Sequence, residues 1–295
     1  GSMPGNRSPT PLRAASFSYR RLSDPSYPRS AAACYEAHTP GGIHRAAFEP
    51  SDPRHPLSRV KDKELPMTKK RTRIDLDQMK QERQAAVWIT AYDYWTASFA
   101  EQAGMDMILV GDSLGMCIYG YSGTVPVTME QCIWHCEAVR RGAPNTFVIG
   151  DMPFLSYQVS VPEAVRNAGR FHKEAAVDAI KLEGGHRVAP QIRAIADGGM
   201  LVMGHIGLTP QSTGQLGGFK AQGRTADAAK ALIDDALAVE AAGAFALLVE
   251  AVPPEVCRII RDTLTIPVYS IGAGREADGQ LMICSDVLGI FQAFT

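Results

Sequence analysis

Six residues able to bind a cation or move a proton fall at the ends of short apolar runs. They are Asp112 in Gly111-Asp112-Ser113, Asp151 in Gly150-Asp151-Met152-Pro153, Lys181 and Glu183 in Lys181-Leu182-Glu183-Gly184-Gly185, His205 in Gly204-His205, and Glu250 in Val249-Glu250. Buried carboxylates need a cation or a partner to offset lost hydration. With no Cys or His pair nearby, two or three carboxylate oxygens suit hard Mg²⁺ and leave positions for water and substrate; zinc would call for imidazole or thiolate. Mg²⁺ held this way can chelate a 2-oxo acid through its carboxylate and ketone oxygens and stabilise the enolate formed when the adjacent carbon loses a proton. Lys181 would add positive charge beside the developing oxyanion. A Schiff-base role competes, but a lysine next to Glu183 and a metal stays protonated and is a poor nucleophile.

Each residue also has a simpler reading. An Asp after a strand often only caps the next helix. Lys181 and Glu183, at i and i+2, share one strand face and can pair with each other. His205 can be a packing histidine, and Glu250 the cap of a helix beginning near Pro253. What favours a common site is the recurrence of such residues at five successive strand ends.

Those ends belong to a regular series. Apolar runs at Ala86–Tyr92, Met107–Gly111, Thr146–Gly150, Ala179–Glu183, Leu201–His205, Ala246–Glu250, Pro267–Ile271 and Asp286–Ile290 read as strands. Helical patterns fall between them at Trp95–Ala103, Met129–Arg141, Pro162–Ala175, Val188–Asp197, Ala226–Ala242 (with Gly243 as its stop) and Glu255–Thr263, after a lead-in helix at Ile74–Gln84. Eight uniformly apolar strands joined by helical crossovers predict a parallel α/β sheet closed as a (β/α)8 TIM barrel, with its active site at the carboxyl ends of the strands. A doubly wound open sheet would carry a glycine fingerprint after the first strand, and Thr90-Ala91-Tyr92-Asp93-Tyr94 has none. The helix that normally covers the eighth strand is missing from this reading.

Composition limits the rest. Thirty basic residues against 31 acidic give a net charge of −1, which offers no field for nucleic acid or an anionic membrane. No apolar run approaches the roughly 20 residues that span a bilayer. The six cysteines (Cys34, Cys117, Cys132, Cys136, Cys257 and Cys284) include no CxxC pair and fit a reducing compartment. Cys132 and Cys136, one turn apart with His135 between, read as half-buried thiols rather than a partial metal site. Ten of the 19 prolines lie in residues 1–66, which have no apolar periodicity. That segment reads as a disordered extension, with Gly1-Ser2-Met3 resembling a tag-removal scar. An organelle transit-like segment and a start at Met67 are the two accounts of it, the second preferred, and residues 67–295 form the catalytic domain.

Six blocks together resemble one family. Gly111-Asp112-Ser113-Leu114-Gly115-Met116, Arg140-Arg141-Gly142-Ala143-Pro144, Gly150-Asp151-Met152-Pro153-Phe154, Lys181-Leu182-Glu183-Gly184-Gly185, Gly204-His205-Ile206-Gly207-Leu208-Thr209-Pro210-Gln211 and Ile271-Gly272-Ala273-Gly274 are similar to the 3-methyl-2-oxobutanoate (ketopantoate) hydroxymethyltransferases. The resemblance implies transfer of the methylene of 5,10-methylenetetrahydrofolate to 3-methyl-2-oxobutanoate, giving 2-dehydropantoate on the route to pantothenate and coenzyme A. It implies Asp112, Asp151 and Glu183 as Mg²⁺ ligands, and Asp112, Ser113, Asp151 and Lys181 as contacts of the 2-oxo acid. It also implies Glu250 as the proton acceptor, a supporting role for His205, and a cytoplasmic homo-oligomer, typically a decamer. The proline-rich extension, and an end at Thr295 where the family continues, depart from its pattern. Two alternatives stand beside it: a phosphoenolpyruvate mutase/isocitrate lyase-like enzyme, expected to carry a reactive cysteine loop that Cys117 and Gly214–Gly223 do not supply, and an inactive barrel acting as a binding protein. Gly217-Gly218-Phe219-Lys220 reads equally as a mobile loop over the site or a surface turn.

Overall fold

The computed structural model describes residues 69–291. The expectations for residues 1–66, for Gly1-Ser2-Met3 and for a start at Met67 lie outside the described residues. Eight parallel strands close a barrel in sequential order: β1 (Ala86–Thr90), β2 (Met107–Val110), β3 (Phe147–Asp151), β4 (Ala179–Glu183), β5 (Leu201–Gly207), β6 (Ala246–Glu250), β7 (Val268–Ile271) and β8 (Gly279–Met282). Around it run α1 (Arg73–Gln81), α2 (Tyr94–Gln102), α3 (Leu114–Cys117), α4 (Met129–Gly142), α5 (Val161–Ala175), α6 (Ala189–Asp197), α7 (Thr213–Leu216), α8 (Ala226–Ala241), α9 (Pro254–Thr263) and α10 (Cys284–Val287). The long helices start where the sequence supplies caps. Thr128 and Gln131 form a reciprocal capping box on α4, and Ser160 and Thr225 cap α5 and α8.

The alternation of each strand sorts its side chains into two cores. Ile108, Val148, Ile180, Leu182, Leu247 and Val249 face the helix layer, while Met107, Leu109, Phe147, Ile149, Ala179, Met203, Ala246 and Leu248 fill the barrel. The inward rows continue upward as Asp151 on β3, Lys181 and Glu183 on β4, His205 on β5 and Glu250 on β6. The period of two that packs the interior therefore also aims these polar groups at the barrel mouth. At the opposite end α1 lays Leu76 and Met79 into the same interior cluster, and Lys80 reaches Asp278 at 2.9 Å.

The first seven expected strands agree with the structure to within two residues, but the eighth does not. Asp286–Ile290 is not a strand: residues 284–287 form the short α10, and the barrel closes through Gly279–Met282. This segment pairs in register with β1, from Ala86↔Gly279 to Ile89↔Met282, and with β7. Only glycine fits at its start, because a Cβ on Gly279 would meet the Ala86 carbonyl oxygen at 2.4 Å. The four-residue α10 follows β8. Among the described residues no helix is long and apolar enough to cross a membrane.

Candidate active site

Strand register sets the first contacts. Asp151 lies beside Lys181, and Glu183 beside His205, as direct cross-strand neighbours. Accordingly Lys181 Nζ sits 2.8 Å from Asp151 Oδ1 and His205 Nδ1 3.5 Å from Glu183 Oε1. Lys181 Nζ is also 3.8 Å from Glu183 Oε1 and 3.3 Å from His205 Nδ1. The other imidazole nitrogen, Nε2, lies 3.1 Å from Glu250 Oε2. Gly207, at φ +92°, lets β5 and β6 approach here, since a Cβ would meet the Glu250 carbonyl oxygen at 2.2 Å. Asp112 joins from the turn after β2, its backbone N–H donating to Asp151 Oδ2 at 3.0 Å.

The structure thus brings all of the sequence-predicted residues together, and it removes the helix-cap readings of Asp112 and Glu250 while keeping the Lys181–Glu183 contact. The Asp112 side chain does not cap α3; its Oδ2 accepts from Gln211 Nε2 at 2.9 Å. Glu250 does not cap α9 but faces His205. Lys181 lies closer to Asp151 than to Glu183. Ser113 Oγ is 2.8 Å from the buried Tyr92 hydroxyl. Asp112, Ser113, Asp151, Lys181, Glu183, His205 and Glu250 line one cavity of about 490 Å³, whose rim includes Leu208, Pro210 and Phe219. The Gly217-Gly218-Phe219 turn therefore reaches the site.

Burial makes this cluster electrostatically tight. Asp112, Asp151, Lys181, Glu183 and His205 are each less than 5% exposed. Burial, then the charges of Asp151 and Glu183, push the Asp112 carboxyl well above its ordinary range. Burial raises Asp151 too, against the pull of Lys181. For Glu183, burial is outweighed by His205, Lys181 and the Gln211 N–H, which hold it low. Burial would lower Lys181, but Asp151, Glu183 and Asp112 prevail and keep it protonated. His205 is likewise pushed up to about 9: burial and Lys181 oppose this, and Glu183 and Glu250 overcome them.

The donor set fits a hard cation. It is all oxygen, and Asp151 Oδ1 and Glu183 Oε1 are buried without a well-aligned hydrogen bond. A divalent ion would relieve the crowding that raises Asp112. Among the described residues no three or more His, Cys, Asp or Glu side chains stand in positions that would hold a metal ion without adjustment. Cys132 and Cys136 are fully buried rather than half-buried, and His135 turns away from them to Tyr119 and the Tyr92 carbonyl.

Sequence reasoning missed Gln211 and Tyr157. Gln211 contacts Asp112, Met152, Tyr157 and Glu183, and Tyr157 accepts the Glu183 N–H at 3.1 Å. The available signal was the end of the Gly204–Gln211 block.

Residues 70–295 match the family model described as Ketopantoate hydroxymethyltransferase. A relative from Alkaliphilus metalliredigens (strain QYMF), named 3-methyl-2-oxobutanoate hydroxymethyltransferase, is 70% identical over 229 residues, covering 78% of this chain and 81% of its own. One of the same name from Heliobacterium modesticaldum (strain ATCC 51547 / Ice1) is 52% identical, over 77% of this chain and 83% of its own. Among solved structures, a phosphonopyruvate hydrolase complexed with oxalate and Mg²⁺ superposes with TM-score 0.58 at 12% identity, covering 74% of this chain and 82% of that one. A 2,3-dimethylmalate lyase of the PEP mutase/isocitrate lyase superfamily gives 0.55 at 17%, with the same coverage. At that identity the likeness speaks to the barrel alone.

Proposed function

The chain belongs to the ketopantoate hydroxymethyltransferase family, and from that membership we propose that it transfers the methylene of 5,10-methylenetetrahydrofolate to 3-methyl-2-oxobutanoate, with Mg²⁺, to give 2-dehydropantoate for pantothenate and coenzyme A synthesis. The observation that carries this reading is one cavity lined by Asp112, Asp151 and Glu183 together with Glu250, whose strand β6 lies opposite β2 in the ring. In this reading Asp112, Asp151 and Glu183 hold the ion. When bound it supplies a Lewis acid for the two oxygens of the 2-oxo acid.

The chain's own groups do the remainder. Ser113, Asp112, Asp151 and Lys181 orient the oxo acid, and the protonated Lys181 stabilises negative charge on its oxygen. Glu250 takes the C3 proton, held in aim by His205. Water cleaves the methylene from N5 and N10 of the folate as formaldehyde, its two hydrogens going to those nitrogens as tetrahydrofolate leaves; the carbanionic C3 then adds to the formaldehyde carbon, and the new oxygen takes up the proton held by Glu250. A cytoplasmic homo-oligomer belongs to the same reading. Exposed Trp95 and Phe99 on α2 and Trp134 on α4 support assembly.

The test is consumption of 3-methyl-2-oxobutanoate in the presence of 5,10-methylenetetrahydrofolate, with and without EDTA. Turnover that requires both the folate and a restored Mg²⁺ is expected. Turnover indifferent to EDTA would end the metal assignment, and none with fresh Mg²⁺ would end the reading.

A further inference from the structure

Gln211 stands in the 3₁₀ turn Pro210–Ser212 after β5 and is 5% exposed. Its carboxamide is saturated. Nε2 donates to Asp112 Oδ2 and to the Met152 carbonyl, both at 2.9 Å. Oε1 accepts from the Tyr157 hydroxyl at 2.7 Å and from Gln158 Nε2 at 3.2 Å. The Met152 carbonyl can only accept, so the amide cannot be turned over, and the N–H end must face Asp112. The backbone N–H of the same residue donates to Glu183 Oε2 at 3.0 Å. One residue thus ties one oxygen of each of two carboxylates that come from different strands. On the third carboxylate the Asp112 N–H holds Asp151 Oδ2, while Asp151 Oδ1 faces Lys181 Nζ at 2.8 Å.

A carboxylate with one oxygen held by an amide offers a cation its other oxygen and resists two-oxygen binding. Single-oxygen ligands suit the strict octahedron of Mg²⁺, whereas Ca²⁺ takes six to eight oxygens and accepts bidentate carboxylates. We propose that Gln211 is a positioning residue that restricts Asp112 and Glu183 to one cation-binding oxygen each, and so tunes the site to a small octahedral ion over Ca²⁺. This rests on the metal reading given above. Glutamate could not replace it, because an acceptor would then face the Asp112 carboxylate and the Met152 carbonyl.

The experiment is calorimetric titration of the full chain with Mg²⁺ and, separately, Ca²⁺, with 3-methyl-2-oxobutanoate present, for the parent and Gln211→Met. In the variant the Mg²⁺ Kd should rise about 10- to 100-fold, as is usual when a group orienting metal ligands is lost. Ca²⁺ should weaken less, so that the preference for Mg²⁺ narrows. A folded Gln211→Met with an unchanged Mg²⁺ Kd and an unchanged preference overturns the proposal. Should that variant fail to fold, Tyr157→Phe keeps both donors but removes the shorter of the two bonds that anchor Oε1, leaving that from Gln158. A smaller rise in Mg²⁺ Kd supports the proposal, and none overturns it. A parent that takes up neither ion overturns the metal reading itself, and this inference with it.

Discussion

Glu250 Oε2 lies 3.1 Å from His205 Nε2, while Lys181 and Glu183 both approach the other nitrogen of that imidazole. The histidine therefore links the lysine-bearing side of the cavity to a carboxylate on the next strand. It does so from a buried position, only 2% exposed.

From this follows a prediction about proton removal. Lys181 is protonated, and Asp112 and Asp151 are the proposed cation ligands, which leaves Glu250 as the base. Glu250→Gln should still bind 3-methyl-2-oxobutanoate but exchange its C3 proton with D₂O about 10²–10⁴-fold more slowly. NMR follows that exchange without folate. An unchanged rate would overturn Glu250 as the base.

Asp112→Asn separates stability from activity. The Asp112 carboxyl is raised by burial and by like charges, so its ionised form costs the metal-free fold stability; the stability is retained at low pH and lost as pH rises through the folded pKa. Asparagine keeps an acceptor for Gln211 and drops the charge. In EDTA near neutral pH, its melting temperature should exceed the parent's by a few degrees, roughly what ~1 kcal/mol gives in a domain this size. Mg²⁺-dependent turnover should vanish. A lower melting temperature would mean that the charge crowding is not felt.

Cysteine labelling tests the packing between the strands and the helix layer. Cys132 and Cys136 are completely buried, and burial pushes both thiols far up; burial also raises Cys257, to about 11. All three should resist N-ethylmaleimide in the native protein and react after unfolding. Cys117 lines the cavity and should be labelled more slowly with 3-methyl-2-oxobutanoate bound. Mass spectrometry of the digested protein reads each site.

The floor of the barrel makes a different prediction. Leu76 of α1 is 1% exposed among Trp88, Phe147 and Tyr269 of the interior cluster. Leu76→Ala should cost about 2–5 kcal/mol and lower the melting temperature by at least ~5 °C. Being at the opposite end from the site, it should leave Mg²⁺ affinity unchanged at a temperature where the variant is folded.

Much of this arrangement was legible in the chain because one signal served two purposes. The alternation that packs Ala179 inward also aims Lys181 and Glu183, so reading the strand also pointed to the candidate site residues. The eighth strand was not legible for the opposite reason. Gly279-Gln280-Leu281-Met282 has little intrinsic strand preference, and its place is set by pairing with β1 far back in the chain. The apolar Val287-Leu288-Gly289-Ile290 carried the stronger local signal and misled. Gln211 was missed because an amide in a turn announces nothing by itself; its meaning comes from Asp112, 99 residues away.

The pairing of β1 with β8 bears on how the protein is made. Every other pair of neighbouring strands can form as soon as the crossover between them leaves the ribosome, but the second edge of β1 must wait for Gly279–Met282, far along the chain. Until then the ladder is an open ribbon with the backbone groups of Ala86–Thr90 unpaired at its edge, the kind of edge that recruits other chains. Nascent chains halted before Gly279 should consequently be the ones that chaperones retain, and release should coincide with closure of the ring.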